Sequence, residues 1–341
     1  MNDGLISIII VNWNGIKWLK DCFNSLASQT YKNFEIIFVD NASTDGSVDW
    51  VKAKYPETKI IINRINLGFA DANNVGFRKS KGQYVLFLNN DTRVSNTFLI
   101  ELIRAIKSDI SIGGAQSKIL LIDHTDTHDS VGAFLTLTGF LYHYGFGRPD
   151  ESKYDKQINL YTAKGACMMF RKDVLDQIAV GGNIFDQDYF SYFEESDMCH
   201  RVWLSGYRII YAYKSVIYHK MGATSRHMNN TFIQYHSFKN RIRTYIKNFG
   251  LGWFLTILPV HIAICKFYEL LLCIRGNWAL AWAIERAGWW NIMHIRKTMR
   301  LRRYIQNRIR CVSDSEISRY ILKYPHLSYF SGLMTGVVRD D

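Results

Sequence analysis

A chain of 341 residues, 48% hydrophobic and 14% aromatic, has enough apolar surface for one large core with an appendage, which excludes a disordered protein. Its net charge of +12 is unevenly placed: residues 1–235 carry 25 Lys and Arg against 24 Asp and Glu, and residues 236–341 carry 17 against 6. The N-terminal two thirds is therefore near neutral, and the basic end suits an anionic partner, either lipid head groups or nucleic acid.

The chain opens on Met-Asn-Asp-Gly and runs straight into an apolar strand, with no basic n-region and no small-residue cleavage site. The six cysteines, Cys22, Cys167, Cys199, Cys265, Cys273 and Cys311, form no CxxC pair and no short metal-ligand spacing. Together these features predict a reduced, cytosolic chain without a signal peptide. Apolar β-branched runs at 5–11, 35–39, 59–62 and 84–88 alternate with helix-length stretches at 16–28, 46–54, 70–80 and 97–108. Four such alternations predict a Rossmann-like, mostly parallel sheet flanked by helices, with the ligand crevice at the C-terminal strand ends. The polar clusters 12–15, 40–47 and 89–92 fall at those ends. After residue 110 the alternation weakens, and 123–164 reads as loops and short strands lining an acceptor side.

Five clusters carry candidate chemistry. Val39-Asp40-Asn41 ends a buried strand and delivers a carboxylate that can accept hydrogen bonds from a base N–H or a ribose hydroxyl; the same residues can equally turn the chain and cap the next helix. Asn66-Leu67-Gly68-Phe69-Ala70-Asp71-Ala72-Asn73-Asn74 runs from a turn into a helix. Asp71 and Asn74 share a face there and can hold ribose and base edges, or Asp71 can simply suit the helix dipole. Phe87-Leu88-Asn89-Asn90-Asp91 ends an apolar strand in hard oxygen ligands fitted to a divalent cation on a diphosphate. Tyr192-Phe193-Glu194-Glu195-Ser196-Asp197 sets three carboxylates behind aromatics. Desolvation and like charge there raise a carboxyl pKa towards that of a general base, and Asp197 can pair with Arg201 one turn on. His219, ending the run Val216-Ile217-Tyr218, can be a second ligand to the same cation, or a hydrogen-bonding residue of the strand end.

The order of these five clusters over residues 5–245 resembles the family 2 inverting glycosyltransferases of the GT-A fold. The strings 66–76, the Asn-Asp pair after Phe87-Leu88, the acidic pair within 192–201 and the segment 219–225 look most like bacterial rhamnosyltransferases of surface polysaccharide synthesis, O-antigen or cell-wall. The resemblance implies a GT-A catalytic domain over 1–245, with a nucleotide-sugar half to about 110 and an acceptor half from 111, followed by a helical extension over 246–341. It implies that Asp40 contacts the nucleobase, with Asn41, Asp71, Asn74 and Asn90 also on the donor side. It makes Asp91 and His219 ligands of Mg²⁺ or Mn²⁺, and Glu195, or its neighbour Glu194, the catalytic base. The implied donor is a dTDP- or UDP-sugar, dTDP-L-rhamnose first, and the acceptor a glycan or polyprenyl-linked glycan. Two departures stand out: the metal triplet reads Asn89-Asn90-Asp91, leaving one carboxylate, and Glu195 stands where many relatives have Asp.

Beyond the resemblance, residues 249–265 form an apolar stretch interrupted by Pro259, a little short of a membrane span. Residues 296–310 hold seven basic residues and no acid, as an interfacial helix on an anionic membrane does, or a solvated or oligomer-contact helix. The expected location is therefore cytoplasmic and peripheral, at the inner face of the cell membrane. Two alternatives remain open, a nucleotide-sugar-binding protein without transfer activity and a basic nucleic-acid-binding protein. Carboxylates clustered at the strand ends would repel a nucleic-acid backbone, so no nucleic-acid partner is expected.

Overall fold

The computed structural model of the chain describes residues 4–222, 229–325 and 329. Its first half follows the expected alternation: β1 (Ile6–Asn12), α1 (Ile16–Ala27), β2 (Phe34–Asp40), α2 (Ser47–Lys54), β3 (Lys59–Ile62), α3 (Gly68–Phe77), β4 (Tyr84–Leu88), β5 (Thr92–Val94) and α4 (Phe98–Lys107). The second half adds β6 (Ile112–Leu121), β7 (His128–Ser130), β8 (Gly132–Leu135), β9 (Leu141–Tyr144), β10 (Cys167–Arg171), α5 (Lys172–Ile178), α6 (Glu194–Leu204) and β11 (Arg208–His219). Helices α7 (Asn230–Asn248), α8 (Leu251–Ile274), α9 (Trp278–Met293), α10 (Ile295–Tyr304) and α11 (Asp314–Ile321) form the C-terminal extension.

The strands stand in the order β3-β2-β1-β4-β10-β6-β11-β5, with β7 beside β6. Strands β1 to β4 are mutually parallel, and so are β6 and β11; β10 enters between β4 and β6 antiparallel to both, and β5 lies antiparallel to β11. Two cores follow from the period-two alternation of the strands. Ile6, Ile8 and Ile10 point to one face, where they meet the α1 stripe Leu19, Cys22, Phe23 and Leu26 and the α4 residues Phe98, Leu102 and Ile106. Ile9, Ile37 and Val39 point to the other face, with α3, α6 and the start of the extension. The i, i+3, i+4, i+7 spacing of the α1 stripe explains why that segment is a helix and which side it buries.

The ten-residue strand β6 has no counterpart in the expected elements. Gly113-Gly114-Ala115-Gln116-Ser117-Lys118 lacks an apolar run, yet the strand is buried almost throughout. A side chain at Gly114 would come within 2.2 Å of the Phe170 ring, so the absence of a Cβ there lets β10 pack alongside.

The extension is bound into the sheet-bearing part of the chain. An expected boundary after residue 245 falls inside α7, and Lys247 and Asn248 beyond it both reach the buried carboxylate of Asp197 at 3.0 Å. Pro259 does not stop α8, which runs 24 residues through it. The proline sits on the exposed side while Ile257, Leu258, His261 and Cys265 are buried around it, so packing offsets the one backbone hydrogen bond that proline removes. The basic run is only partly free for an outside partner. Arg302 donates to Ile246 O and Phe249 O (2.6 and 2.7 Å), Arg310 to Asn248 O and Asp314, and Lys297 to Asp188. These arginines satisfy the carbonyls at the end of α7, where cations are favoured. Residues 326–328 and 330–341 of the expected extension lie outside the described residues.

Candidate active site

The parallel register sets Asn12 beside Asp40 at the C-terminal strand ends. Asn12 Nδ2 donates to Asp40 Oδ1 (3.0 Å), and Asn90 Nδ2 donates to Asn12 Oδ1 (2.6 Å). The other Asp40 oxygen accepts from the Ser43 N–H at 2.8 Å. One buried network thus links the tips of β1, β2 and β4. Asp40 stands behind the cleft wall; Asn41 and Asn90 line it.

The cleft occupies about 420 Å³, and Asn90, Asp91, Lys164, Glu194, Glu195 and His219 share its lining. Asp91 and His219 meet because β5 pairs with β11 in a register that sets His219 opposite Thr92, and the Lys220 N–H donates to Asp91 O at 3.0 Å. His219 Nε2 lies 3.4 Å from Asp91 Oδ1. That oxygen is buried and has no hydrogen-bond partner among the described residues, a costly state unless something else satisfies it. On the other side of the ring, Nδ1 is 2.7 Å from Asp129 Oδ2. A carboxylate only accepts, so this contact assigns the proton to Nδ1 and turns Nε2 towards Asp91. Burial lowers the His219 pKa, but the carboxylates of Asp129 and Asp91 more than offset it and hold it above the ordinary imidazole value.

An oxygen and an imidazole nitrogen facing each other, one of them orphaned, fit a hard divalent cation with its remaining positions left to a diphosphate and water. Among the described residues no group of three or more His, Cys, Asp or Glu gathers at one point, and Asp91 and His219 are the pair that faces the cleft. Residues 223–225 of the sequence motif that begins at His219 lie outside the described residues.

Asp129 and Lys164 were not legible in the sequence, because nothing in their own segments marks them. Asp129 is buried, and its second oxygen accepts from Lys164 Nζ at 2.6 Å. Burial raises its pKa, but Lys164 and His219 outweigh that and bring the carboxyl down to about 2.

The acidic pair opens α6. The approach to it is strained: Phe190, Tyr192 and Phe193 have φ of 64°, 72° and 71°, values that non-glycine residues adopt at a cost and mostly at functional sites. The surroundings hold this loop in place. Asn240 Nδ2 of α7 lies 3.1, 2.9 and 2.6 Å from the carbonyls of Tyr189, Ser191 and Tyr192. Gly68, at φ 75°, leaves room for Phe190 O, which a Cβ would approach to 2.4 Å. Glu194 is buried with Oε2 unpartnered among the described residues, and burial followed by the charge of Glu195 pushes its pKa well above the carboxylate range. Burial also pushes Glu195 up, to about 7, against the pull of Lys164. Both carboxyls are thus held above the ordinary carboxylate range, and the pair is poised to exchange a proton near neutral pH. Asp197 makes the expected pair with Arg201 at 3.1 Å and belongs to the structural ion network under the site.

Asp71 and Asn74, expected on the donor side, are not among the residues that line the cleft. Asn74 Oδ1 accepts from the N–H groups of Ile184 and Phe185, its Nδ2 donates to Phe185 O, and Asp71 accepts from Gln187. The pair fastens the loop after α5: the Asn74 amide is engaged there at both ends, and Asp71 accepts through Oδ1.

Residues 7–179 match the family described as Glycosyl transferase family 2. GlyA, a glycosyltransferase of Streptococcus pneumoniae, is 31% identical over 120 residues, 34% of this chain and 17% of that protein. An uncharacterized glycosyltransferase of Haemophilus influenzae is 39% identical over 87 residues, 26% of this chain and 29% of that one. The chain thus spans well under two thirds of these relatives. Among solved structures, S. aureus TarS 1-349 in complex with UDP-GlcNAc has a TM-score of 0.57 at 17% identity, covering 89% of this chain and 87% of that one. GalNAc-T7 with UDP, GalNAc and Mn²⁺ also reaches 0.57, at 16% identity, covering 74% and 49%. At such identities the likeness is one of fold.

Proposed function

Because the chain belongs to glycosyl transferase family 2, we propose that it transfers a sugar from a nucleotide-sugar donor to an acceptor hydroxyl with inversion at the anomeric carbon. The observation that carries this reading is a single cleft in which the orphaned Asp91 carboxylate faces His219 and, across it, Glu195 is pushed up to about 7. Glu195 takes the proton of the acceptor hydroxyl as its oxygen forms the new bond to the anomeric carbon. The bond to the donor's diphosphate breaks on the opposite face, and the nucleoside diphosphate leaves with the electron pair. Asp91 and His219 are the residues that would hold a divalent cation, and when bound it would neutralise the charge growing on that leaving group. Lys164 adds a fixed positive charge to the same wall. Asn12, Asp40 and Asn90 brace the donor side. No protein nucleophile is required.

The finer reading takes dTDP-L-rhamnose as donor and a glycan or polyprenyl-linked glycan as acceptor, in surface-polysaccharide synthesis at the cytoplasmic face of a membrane. Its supports are the order of motifs from Asp40 to His219 and the basic, apolar extension. TarS was solved with UDP-GlcNAc, and a Pyrobaculum calidifontis mannosyltransferase with GDP-Man and Mn²⁺; those are properties of those proteins. A thermal-shift panel of dTDP-, UDP- and GDP-sugars with and without Mn²⁺ tests the reading, since a ligand bound only by the native state raises the melting temperature. One donor should give a rise that depends on the cation. A panel without any rise would contradict the reading.

A further inference from the structure

We propose that the outward faces of α8 and α9 dock on the surface of an anionic bilayer as an interfacial hairpin that does not cross it. This rests on the membrane part of the reading above, and it moves the contact from the basic run 296–310 to the hairpin. An 18-residue window of helix α8 has a mean hydropathy of 1.9, and the helix is about 36 Å long, enough to cross a bilayer, so composition alone leaves its orientation open.

Burial decides it. Ile257, His261, Cys265 and Leu272 form an inward stripe, and His261 Nδ1 sits 3.0 Å from Thr138 O of the catalytic half. On α9, Ala281, Ile284, Ala287 and Asn291 turn inward, and Asn291 Nδ2 donates to Lys239 O of α7 at 3.0 Å. A helix fastened to a water-soluble fold along one side cannot be surrounded by hydrocarbon, because its polar anchors would have to enter with it. The opposite stripes stay open: Leu255, Phe267 and Ile274 of α8 are 54–73% exposed, and Trp278, Trp282 and Trp289 of α9 are 54–66% exposed. A helix lying in the plane of the interface presents this pattern, aliphatic and tryptophan on one face and attachment on the other.

Charge selects lipid over a second copy of the chain. Residues 251–310 hold ten Lys and Arg and only two acids, and those two, Glu269 and Glu285, are both bound by Lys266. Arg275 at the turn between the helices, with Arg296, Arg300 and Arg303, has no acidic partner among the described residues. Two copies meeting through this face about a two-fold axis would set like charge against like, whereas anionic head groups would neutralise it.

The full chain should co-sediment with phosphatidylglycerol–phosphatidylcholine vesicles and bind pure phosphatidylcholine weakly. Trp278→Glu/Trp282→Glu, and the milder Trp278→Ser/Trp282→Ser, should each lower the bound-to-free ratio by about tenfold or more, while keeping the wild-type circular-dichroism melt. If both variants bind as wild type, or only Arg300→Ser/Arg303→Ser releases the protein, the hairpin proposal is overturned and the membrane reading stands. If the wild type binds no vesicle and forms a dimer that the tryptophan variants dissociate, the occupant is a second copy and both fall. The variants should keep the melting shift with nucleotide sugar; its absence in the wild type as well would count against the transfer reading instead.

Discussion

A carboxyl that titrates near neutrality imposes a pH signature. With Glu195 as the proposed base, transfer would require its ionised form, so the rate should climb with pH through an apparent midpoint near 7, a value that belongs to the Glu194–Glu195 pair. A pH–rate profile of transfer reads this, and an acid limb in the ordinary carboxylate range would contradict it. The same shift acts on stability with a definite sign. Folding raises the Glu195 pKa, so the native state holds a proton that the unfolded chain has already lost, and stability falls as pH rises from the carboxylate range to about 7. Glu195→Gln, which cannot ionise, should lose less stability across that window in urea unfolding at a series of pH values. Equal slopes for the two proteins would count against the raised carboxyl. On the other wall, Asp129→Asn should weaken Mn²⁺ binding by about 10- to 100-fold, the usual effect of removing a carboxylate that orients a metal-binding histidine. Calorimetry with Mn²⁺ alone measures it, and wild-type affinity would remove Asp129 from that role. Asp91, His219 and Glu195 were legible in the sequence because each ends or opens an apolar element. Asp129, Lys164 and Asn240 were not: their parts arise from strands and helices distant in sequence meeting in space, and no local spacing records that.

Among the elements, the parallel unit β1 to β4 could be read almost to the residue, since apolar runs and polar tips alternate regularly. Strand β6 escaped because glycine and polar side chains interrupt its run, although the neighbouring strands bury it. Helix α8 was read as shorter than it is, because a proline weighs more in a sequence than in a helix packed along one side. The end of α7 shows how the basic run is divided. Arg302 donates to the carbonyls of Ile246 in α7 and of Phe249 just past it, and Gln306 Nε2 lies within reach of those of Lys247 and Asn248. Arg302→Ala should cost roughly 1–3 kcal/mol, the range for a charge-assisted hydrogen bond left unmade. Arg303→Ala, exposed one position on, should cost under about 0.5 kcal/mol. Urea unfolding of the two variants checks the contrast, and equal losses would mean that the clamp carries no weight.

For the molecule as a whole, the extension packs against the sheet-bearing part of the chain through α7 and α8. Removing residues 246–341 would take Lys247 and Asn248 away from Asp197, leaving Arg201 as its remaining charged partner in a buried setting. It would also remove the helices that cover one face of α7. A buried carboxylate stripped of two of its partners and an opened core are both destabilising, so a chain ending at residue 245 should lack a cooperative melt. A soluble, sharply melting fragment would restore the boundary expected from the sequence. Under the proposed transfer reading, the configuration of the bond formed decides whether one displacement or two takes place in the cleft. With the donor found by thermal shift and a simple acceptor, the one-bond anomeric C–H coupling in the product NMR spectrum should report inversion relative to the donor. A product that retains the donor's configuration would require a protein nucleophile or a front-face route, and would contradict the assignment of Glu195 as the base of a single displacement.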